Sequence, residues 1–213
     1  MPYKQLPLRL LWYYLGLCIM TFGYALVILP GIGAGPWDIF HFGAAGQTGL
    51  ALSLVIQLIG ACLIVLNYTL GIRPTLGMVL NMLSVGPILQ QLMPLIPVPA
   101  SLPGRWGMMA AGVLVAGLGT AMYVSADLGS GPRDGLMIGL TRKLGIPIGF
   151  VKNGIDVAVA AVGWWMGGPL GLGTVAVALC MGPSVQLGMT AVRRLATYAP
   201  FDGFVRPVSL KRS

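Results

Sequence analysis

The residues best suited to chemistry in this chain belong to two copies of one short motif. Gly-x-Gly-Pro-x-Asp occurs at residues 33–38 and again at residues 129–134, and its acidic positions are Asp38 and Asp134. Both copies lie between long apolar runs, and an acidic side chain at membrane depth costs about 2.5–3.5 kcal/mol on insertion scales. Acids retained at that cost indicate a site for a proton or a substrate group. The alternative interpretation is that the two aspartates only cap the helices that follow them.

The same motif predicts the backbone that holds these acids. Its glycines permit a tight turn, and its proline suits the first position of a helix, where no N–H donor is needed. The aspartate then falls in the first helical turn, where the helix macrodipole favours a negative charge. Each motif should begin a helix of roughly 12 residues, about 18 Å long, over about 36–47 and about 132–143. We interpret these as half-helices, re-entrant or lying on the membrane surface, whose turns contain Gly33, Gly35, Pro36, Gly129, Gly131 and Pro132.

A second group of charges lies in a later apolar run. Lys152 and Asp156 are four residues apart, so they share one face of a helix. At the positions 96 residues earlier the chain has Ile56 and Gly60, so this pair has no counterpart there. The pair is either a structural ion pair near the cytoplasmic end of a span or a contact for a proton or ligand.

Two polar residues flank the aspartates of the motifs. Arg133 directly precedes Asp134, and His41 follows Asp38 by three residues. We therefore expect a charged cluster around Asp134, formed with the lysine and aspartate of the later run. Near Asp38 we expect only Trp37 and His41. His41 is either a polar residue in the wall of the site or a binding residue.

Motifs for enzymatic catalysis are missing from the sequence. The chain has one histidine and no glutamate, which excludes His-Glu-x-x-His zinc sites and metal centres built on two histidines. It also lacks the Gly-x-Ser-x-Gly turn of serine hydrolases. We expect no enzymatic activity, no bound metal and no cofactor.

The composition identifies the class of protein that must position these residues. Of the 213 residues, 56% are hydrophobic and 8% are charged, with a mean hydropathy of +0.85. Soluble domains are about 25% charged, so this chain has too little polar surface for a globule in water. Six continuous apolar runs, each long enough to cross a bilayer as a helix, predict an all-α membrane protein; they cover about 10–29, 51–70, 75–95, 107–126, 148–166 and 172–192.

The chain also aligns with itself when it is shifted by 96 residues. About one position in four is then identical between residues 23–90 and 119–186. We interpret the chain as a single membrane domain of two repeats, over about 10–95 and about 107–192, followed by a basic cytoplasmic tail at 193–213. Because each repeat has three spans, an odd number, the second must enter the membrane from the opposite side. Such inverted repeats are typical of secondary transporters.

A pair of small helix-breaking motifs recurs late in each repeat. Gly86-Pro87 aligns with Gly182-Pro183, near the end of the third span. Proline removes a backbone hydrogen bond and kinks a helix, and matched interruptions in two halves point to a transporter's binding site. The alternative is that these small residues only allow helices to pack closely.

The distribution of basic residues predicts the orientation. If the N-terminus is inside, eleven of the 13 lysines and arginines lie in cytoplasmic segments and only Arg105 lies outside. That bias follows the positive-inside rule, so we expect a bacterial inner-membrane protein with both termini in the cytoplasm. The same rule explains the net charge of +8 without nucleic-acid binding.

Three segments resemble a known family of bacterial membrane proteins. Residues 33–38, 126–135 and 163–174 are similar to the YczE/YyaS/YitT family, and the Gly-Pro-Arg-Asp-Gly run at 131–135 is the most specific part. The resemblance covers about residues 10–192 and implies a bacterial multi-pass membrane protein without implying a defined activity. The family pattern places an arginine and a glutamate where this chain has Lys152 and Asp156, a conservative departure.

Two functions remain open at this point. The first is a secondary transporter or exporter of a small solute, in which the two motif aspartates bind a proton or ligand. The second is a non-transporting membrane partner that assists a cytoplasmic biosynthetic or assembly system, for which the basic tail would be suited. We expect contact with the lipid bilayer, while the solute and any homo-oligomeric state are not determined. A polar cavity between the two motifs would favour the first function, and a sealed apolar interior the second.

Overall fold

The computed structural model describes residues 6–196, and all of its regular secondary structure in that range is helical. This confirms the all-α prediction. Eight α-helices follow one another, with a short 3₁₀ turn at Met93–Leu95 after the fourth. In chain order they are α1 (Leu6–Ile28), α2 (Pro36–Thr48), α3 (Leu52–Thr69), α4 (Leu76–Leu92), α5 (Leu102–Ser125), α6 (Pro132–Leu144), α7 (Ile148–Trp165) and α8 (Leu172–Ala196).

Five stretches within residues 6–196 are long and apolar enough to cross a membrane. They are α1, α3, α4 with its 3₁₀ extension, α5 and α8. The remaining predicted span corresponds to α7, which has 18 residues but is not in this set because Lys152, Asn153 and Asp156 lower its hydropathy. Its crossing of the membrane stays a prediction.

Two of the spans begin earlier than the apolar runs predict. Helix α1 starts at Leu6 rather than near residue 10, and α5 starts at Leu102 rather than near 107. A proline lies second in each of these helices, where its missing N–H costs no helical hydrogen bond. The Ser101 hydroxyl also accepts a hydrogen bond from the Gly104 amide at 3.3 Å, which extends α5 beyond its apolar segment.

Helices α2 and α6 are the predicted half-helices, and each has 13 residues, so each is about 20 Å long. Each begins with its proline at the first position, after an extended glycine. Each ends at a glycine in the left-handed region, Gly49 with φ 70° and Gly145 with φ 68°. Those two glycines make the sharp exit that only a residue without Cβ adopts easily.

The turns before the half-helices are fixed by contacts between distant parts of the chain. The Gly173 amide donates to the Ile32 carbonyl at 2.8 Å, and the Gly77 amide donates to the Leu128 carbonyl at 2.9 Å. Gly173 lies 96 residues after Gly77, and Leu128 lies 96 residues after Ile32, so the two contacts are equivalent. The turn in each half of the sequence is therefore held by a helix start from the other half.

The centre of the molecule is the crossing of α1 with α5. A Cβ at Gly16 would collide with the backbone of α5, and a Cβ at Gly112 would collide with the backbone of α1. Small residues at these points allow the two backbones to approach, as in other membrane helix pairs. Around this crossing, α2 packs on α7, α6 on α3, α3 on α4, and α8 on α5.

Candidate functional site

A cavity of about 220 Å³ lies between the two Gly-x-Gly-Pro-x-Asp motifs. Six helices contribute to its walls: α1, α2, α5, α6, α7 and α8. Both motif aspartates line it. Its other polar and aromatic lining residues are Tyr24, Trp37, Thr120, Tyr123, Arg133, Lys152 and Asp156, and its apolar residues come largely from α8.

Asp134 is held at the start of α6 by two hydrogen bonds. The Gly131 amide donates to Asp134 Oδ2 at 3.1 Å, and the Tyr123 hydroxyl donates to the same oxygen at 3.2 Å. The first bond satisfies a free N–H group of the helix N-terminus, and the second ties α6 to α5. Among the described residues no donor is bonded to Oδ1, so that oxygen is available to a ligand.

Asp38 has the matching place at the start of α2 but fewer partners. Its side chain lies beside the Gly35 backbone and is only 8% exposed. Within residues 6–196, no side-chain donor is hydrogen-bonded to it. No basic nitrogen of the described chain lies within 4 Å of either carboxylate, Asp38 or Asp134. Two acids without an ion-pair partner, the buried Asp38 and the partly buried Asp134, therefore line one cavity.

Arg133 lines the same cavity as Asp134, Lys152 and Asp156, as expected, but its direct contacts are with the other half of the sequence. Its Cζ lies 5.0 Å from the centre of the Trp37 ring, and its Nη2 lies 3.5 Å from His41 Nδ1. The expectation that Asp38 has only Trp37 and His41 near it is therefore wrong, since Arg133 lies against both of those residues. A guanidinium gains from stacking on an aromatic face, and Trp37 is the residue 96 positions before Arg133.

Lys152 and Asp156 form the predicted pair on α7. Lys152 Nζ lies 2.6 Å from Asp156 Oδ2, and the two side chains are 54% and 22% exposed. Both residues line the cavity. Ion pairs with this much exposure contribute about 0–1 kcal/mol to stability, so this pair is a weak structural element.

His41 lies outside the large cavity. It is 2% exposed and lines a second space of about 20 Å³, together with residues of α3, α4 and α6. Arg133 lines both spaces. The predicted kink residues at 86–87 and 182–183 line neither cavity. Helix α4 continues through Pro87, and α8 continues through Pro183, without a break.

Three polar lining residues were not predicted from the sequence: Tyr24, Thr120 and Tyr123. They lie in the later parts of α1 and α5, inside apolar spans without a charged motif. Tyr24 and Thr120 are also 96 residues apart. The occurrence of a polar residue at the same position of both repeats could have indicated that they belong to the site.

Within residues 6–196, no three histidine, cysteine or acidic side chains lie close enough together to hold a metal ion. The polar groups of the cavity are two carboxylates, a guanidinium, an ammonium paired with a third carboxylate, and three hydroxyl groups. Such a set can bind and release an ionic or hydrogen-bonding solute.

Comparison with known proteins identifies the family. A family model described as a family of unknown function, DUF6198, matches residues 7–190. The chain belongs to the DUF6198 family. It is 35% identical over 199 residues to the uncharacterized membrane protein YczE of Bacillus subtilis (strain 168), with 92% of each chain covered.

Two further relatives extend the same comparison. An uncharacterized protein of Haemophilus influenzae (strain ATCC 51907 / DSM 11121 / KW20 / Rd) is 32% identical over 186 residues, covering 87% of this chain and 85% of the relative. The uncharacterized protein YyaS of Bacillus subtilis (strain 168) is 23% identical over 193 residues, covering 82% and 89%. No solved structure matches the chain. These relatives confirm the resemblance to YczE and YyaS and place the protein in a membrane.

Proposed function

We propose that the protein is a secondary transporter or exporter of a small solute that works by alternating access. The observation that carries this proposal is the polar cavity between the two Gly-x-Gly-Pro-x-Asp motifs. Secondary transporters bind their substrates near the bilayer midplane, where half-helix N-termini meet at the interface of two repeats. Here α2 and α6 both begin at one cavity and bring Asp38 and Asp134 to it.

The small second space supports the same proposal. Nine of the ten residues that line it lie 96 positions from residues that line the large cavity. The two spaces therefore occupy equivalent places in the two halves of the sequence, at about 220 and 20 Å³. In an alternating-access cycle one would expand as the other collapses, and the structure would correspond to one end of that cycle.

The helix packing supports this interpretation. Helix α3 packs along α4 beside the small space, where a Cβ at Gly86 would lie 2.6 Å from the Ser53 carbonyl oxygen. The equivalent helices α7 and α8 lack comparable packing within the described residues, and a Cβ at Gly182 would meet no atom within 4 Å. We therefore propose the gap between α7 and α8 as the solute's entrance in this state.

A disulfide that joins α3 to α4, beside the small space, tests the alternating-access cycle. In a variant without Cys18, Cys62 and Cys180, the changes Gly60→Cys and Met82→Cys should form a disulfide between α3 and α4. A Cβ at Gly60 lies 3.3 Å from Met82 Cβ, close to the roughly 3.5–4.5 Å of natural disulfides. Proteoliposomes containing a pH-sensitive dye would be given solutes of each charge class. We expect solute-dependent flux that oxidation stops and a reductant restores.

Two controls make the disulfide test informative. The single variants Gly60→Cys and Met82→Cys should keep their flux after the same oxidation. A disulfide that forms without reducing flux would exclude alternating access. The absence of flux for every class of solute, from folded protein, would instead favour the membrane-partner function. Most of the basic tail, from residue 197 onward, lies outside the described residues.

We also propose six membrane spans, arranged as two inverted repeats with α7 as the sixth span. The identical 96-residue offsets of the starts of α2 and α6, and of α3 and α7, support two equivalent halves. A reporter active only outside the cytoplasm distinguishes the arrangements. Fused to the C-terminus it should be inactive, and fused after residue 100, in the segment before α5, it should be active. Activity of both fusions would mean an even number of spans after residue 100 and would contradict the inverted arrangement.

A further inference from the structure

We infer that the ligand of the large cavity is a compact organic cation with one positive charge, such as a protonated amine or a small quaternary ammonium compound. The inference names the substrate class of the transporter proposed above and therefore rests on that proposed function. It depends on the size of the cavity, on the balance of its charges and on the partners that those charges already have.

The size of the cavity limits the ligand to a small molecule. Its volume is about 220 Å³, whereas sites for drug-sized ligands have about 300–1,000 Å³. An apolar protein cavity of about 150 Å³ is enough to bind benzene. One ring or short chain with a single polar substituent therefore fits.

With all three carboxylates ionised, the lining charges leave one negative charge in excess. Asp156 is paired with Lys152 at 2.6 Å, so these two residues cancel. The remaining charged lining residues are Asp38, Asp134 and Arg133. Since both of these acids lack a basic nitrogen within 4 Å, a positively charged ligand would supply the missing partner.

The groups that usually bind anions are partly engaged by the protein itself. A helix N-terminus attracts an anion through its free N–H groups, but the Gly131 amide donates to Asp134, and the Gly35 backbone lies beside Asp38. The guanidinium of Arg133 lies against Trp37 and His41. An anion in the cavity would also approach two carboxylates, whose negative charge would repel it.

The unoccupied acceptors also suit a cation. Asp134 Oδ1 has no donor among the described residues, and the Asp38 carboxylate is nine-tenths buried without a side-chain donor. Tyr24 and Tyr123 add aromatic rings to the lining, and aromatic faces attract ammonium groups. An ammonium group between the two acids would satisfy acceptors that the protein itself leaves open.

Three probes of similar size and different charge test the inference. Benzylammonium, benzyl alcohol and benzoate share one ring and differ in the charge of the substituent at neutral pH. Purified full-length protein in lipid nanodiscs would be equilibrated with radiolabelled benzylammonium, with empty nanodiscs as the control for partition into lipid. We expect saturable binding that unlabelled benzylammonium displaces and that equal concentrations of the other two compounds do not.

Charge-neutral variants then assign the binding to the cavity. Asp38→Asn and Asp134→Asn should each weaken benzylammonium binding by roughly tenfold to a hundredfold, because each removes a charge-assisted contact. The matched control is Asp127→Asn, which removes an acid that pairs with Arg9 at 4.0 Å outside the cavity. That variant should bind as the unmodified protein does. Size-exclusion profiles show that each variant remains folded.

Several results would overturn the inference. Equal or tighter binding of benzoate would make the cavity an anion site governed by Arg133. Equal binding of benzyl alcohol would make it an apolar pocket without charge selection, and the absence of saturable benzylammonium binding would exclude the proposed class. Benzylammonium that binds but is not carried into proteoliposomes would contradict the proposed transport while leaving the ligand class intact. If another solute is transported but benzylammonium does not bind, the proposed ligand class is wrong and the proposed transport stands.

Discussion

The face between α3 and α4 and the face between α7 and α8 occupy equivalent positions in the two halves of the chain, yet they are packed differently. Beside the first lies a space of about 20 Å³, and beside the second a cavity of about 220 Å³. The first helices of the two faces, α3 and α7, both have 18 residues, whereas the second helices differ, since α4 has 17 residues and α8 has 25. We propose that the side chains at equivalent positions of α3 and α7 contribute to the difference.

Those side chains differ in size and charge. On the face between α3 and α4, the closed face, Gly60 packs against Met82, and Ile56 lies one turn before Gly60. On the face between α7 and α8, the open face, Asp156 and Lys152 take the places of Gly60 and Ile56. Packing α7 onto the apolar surface of α8 would remove water from this ion pair, and the penalty for burying a charge is several kcal/mol per ion. We therefore propose that this one ion pair keeps one of two similar faces open.

The largest effect that we predict compares the two motif aspartates themselves. Asp134→Asn should reduce transport to background, whereas Asp38→Asn should cause a partial loss. Asp134 links α6 to α5 through Tyr123, while Asp38 lacks a side-chain donor within the described residues. Flux in proteoliposomes, corrected for the amount of inserted protein, measures the difference.

A structural role alone would give another result. Changing either aspartate to alanine should reduce helix capping by a similar amount, about 0.5–2 kcal/mol. If Asp134→Asn is fully active at normal expression, that residue only caps α6, and the assignment of the binding site fails.

Replacing two residues of α7 by those at the equivalent positions of α3, a change that we call the graft, tests why the two faces differ. Lys152→Ile with Asp156→Gly gives α7 the residues that α3 has at the equivalent positions. Without the desolvation penalty of the ion pair, α7 should pack on α8 more often, and the closed population should rise by about tenfold or more. A cysteine pair at Gly149 and Gly182, where added side chains meet no other atom, reports the closure as disulfide formation.

The graft has a clear contrary outcome. If disulfide formation between residues 149 and 182 is as slow with the graft as without it, the ion pair does not hold the face open. The packing of α8 on α5 would then be the next feature to change.

A smaller effect should come from two glycines that differ only in their neighbours. Gly86→Ala places a Cβ 2.6 Å from the Ser53 carbonyl oxygen and should destabilise the protein by about 1–3 kcal/mol. Gly182→Ala meets no atom within 4 Å and should be neutral or stabilising by up to about 1 kcal/mol, because alanine favours a helix more than glycine does. Both glycines precede a proline, so the pair is well matched.

Thermal unfolding in detergent measures this contrast. Equal midpoints for Gly86→Ala and Gly182→Ala would show that α3 and α4 separate easily. The closed face would then be no tighter than the open one, and the comparison would lose its basis.

The smallest effect should follow from a conservative exchange of the ion pair on α7. Lys152→Arg with Asp156→Glu keeps both charges and their spacing of four residues, so the open face should persist. We expect flux within about twofold of the unmodified protein, since exposed ion pairs contribute about 0–1 kcal/mol. A much larger change in either direction would indicate that the exact reach of these side chains matters to the ligand.

The sequence by itself determined the elements of this fold. The starts of α2 and α6 at Pro36 and Pro132, and the acids two residues later, follow from rules for helix ends that involve only neighbouring residues. Membrane class follows from composition, and the positions of the apolar helices follow from runs of about 20 residues. The family resemblance depended on contiguous motifs of the same kind. All of these are local properties, which can be recognised from neighbouring residues in the sequence.

The tertiary structure alone decided which residues share the site and which face is open. Arg133 contacts Trp37 and His41 of the other half, and Tyr24, Thr120 and Tyr123 reach the cavity from the central helices. These outcomes depend on contacts between helices far apart in the chain. The sequence shows two nearly equivalent halves, and only the packing between their helices separates an open face from a closed one.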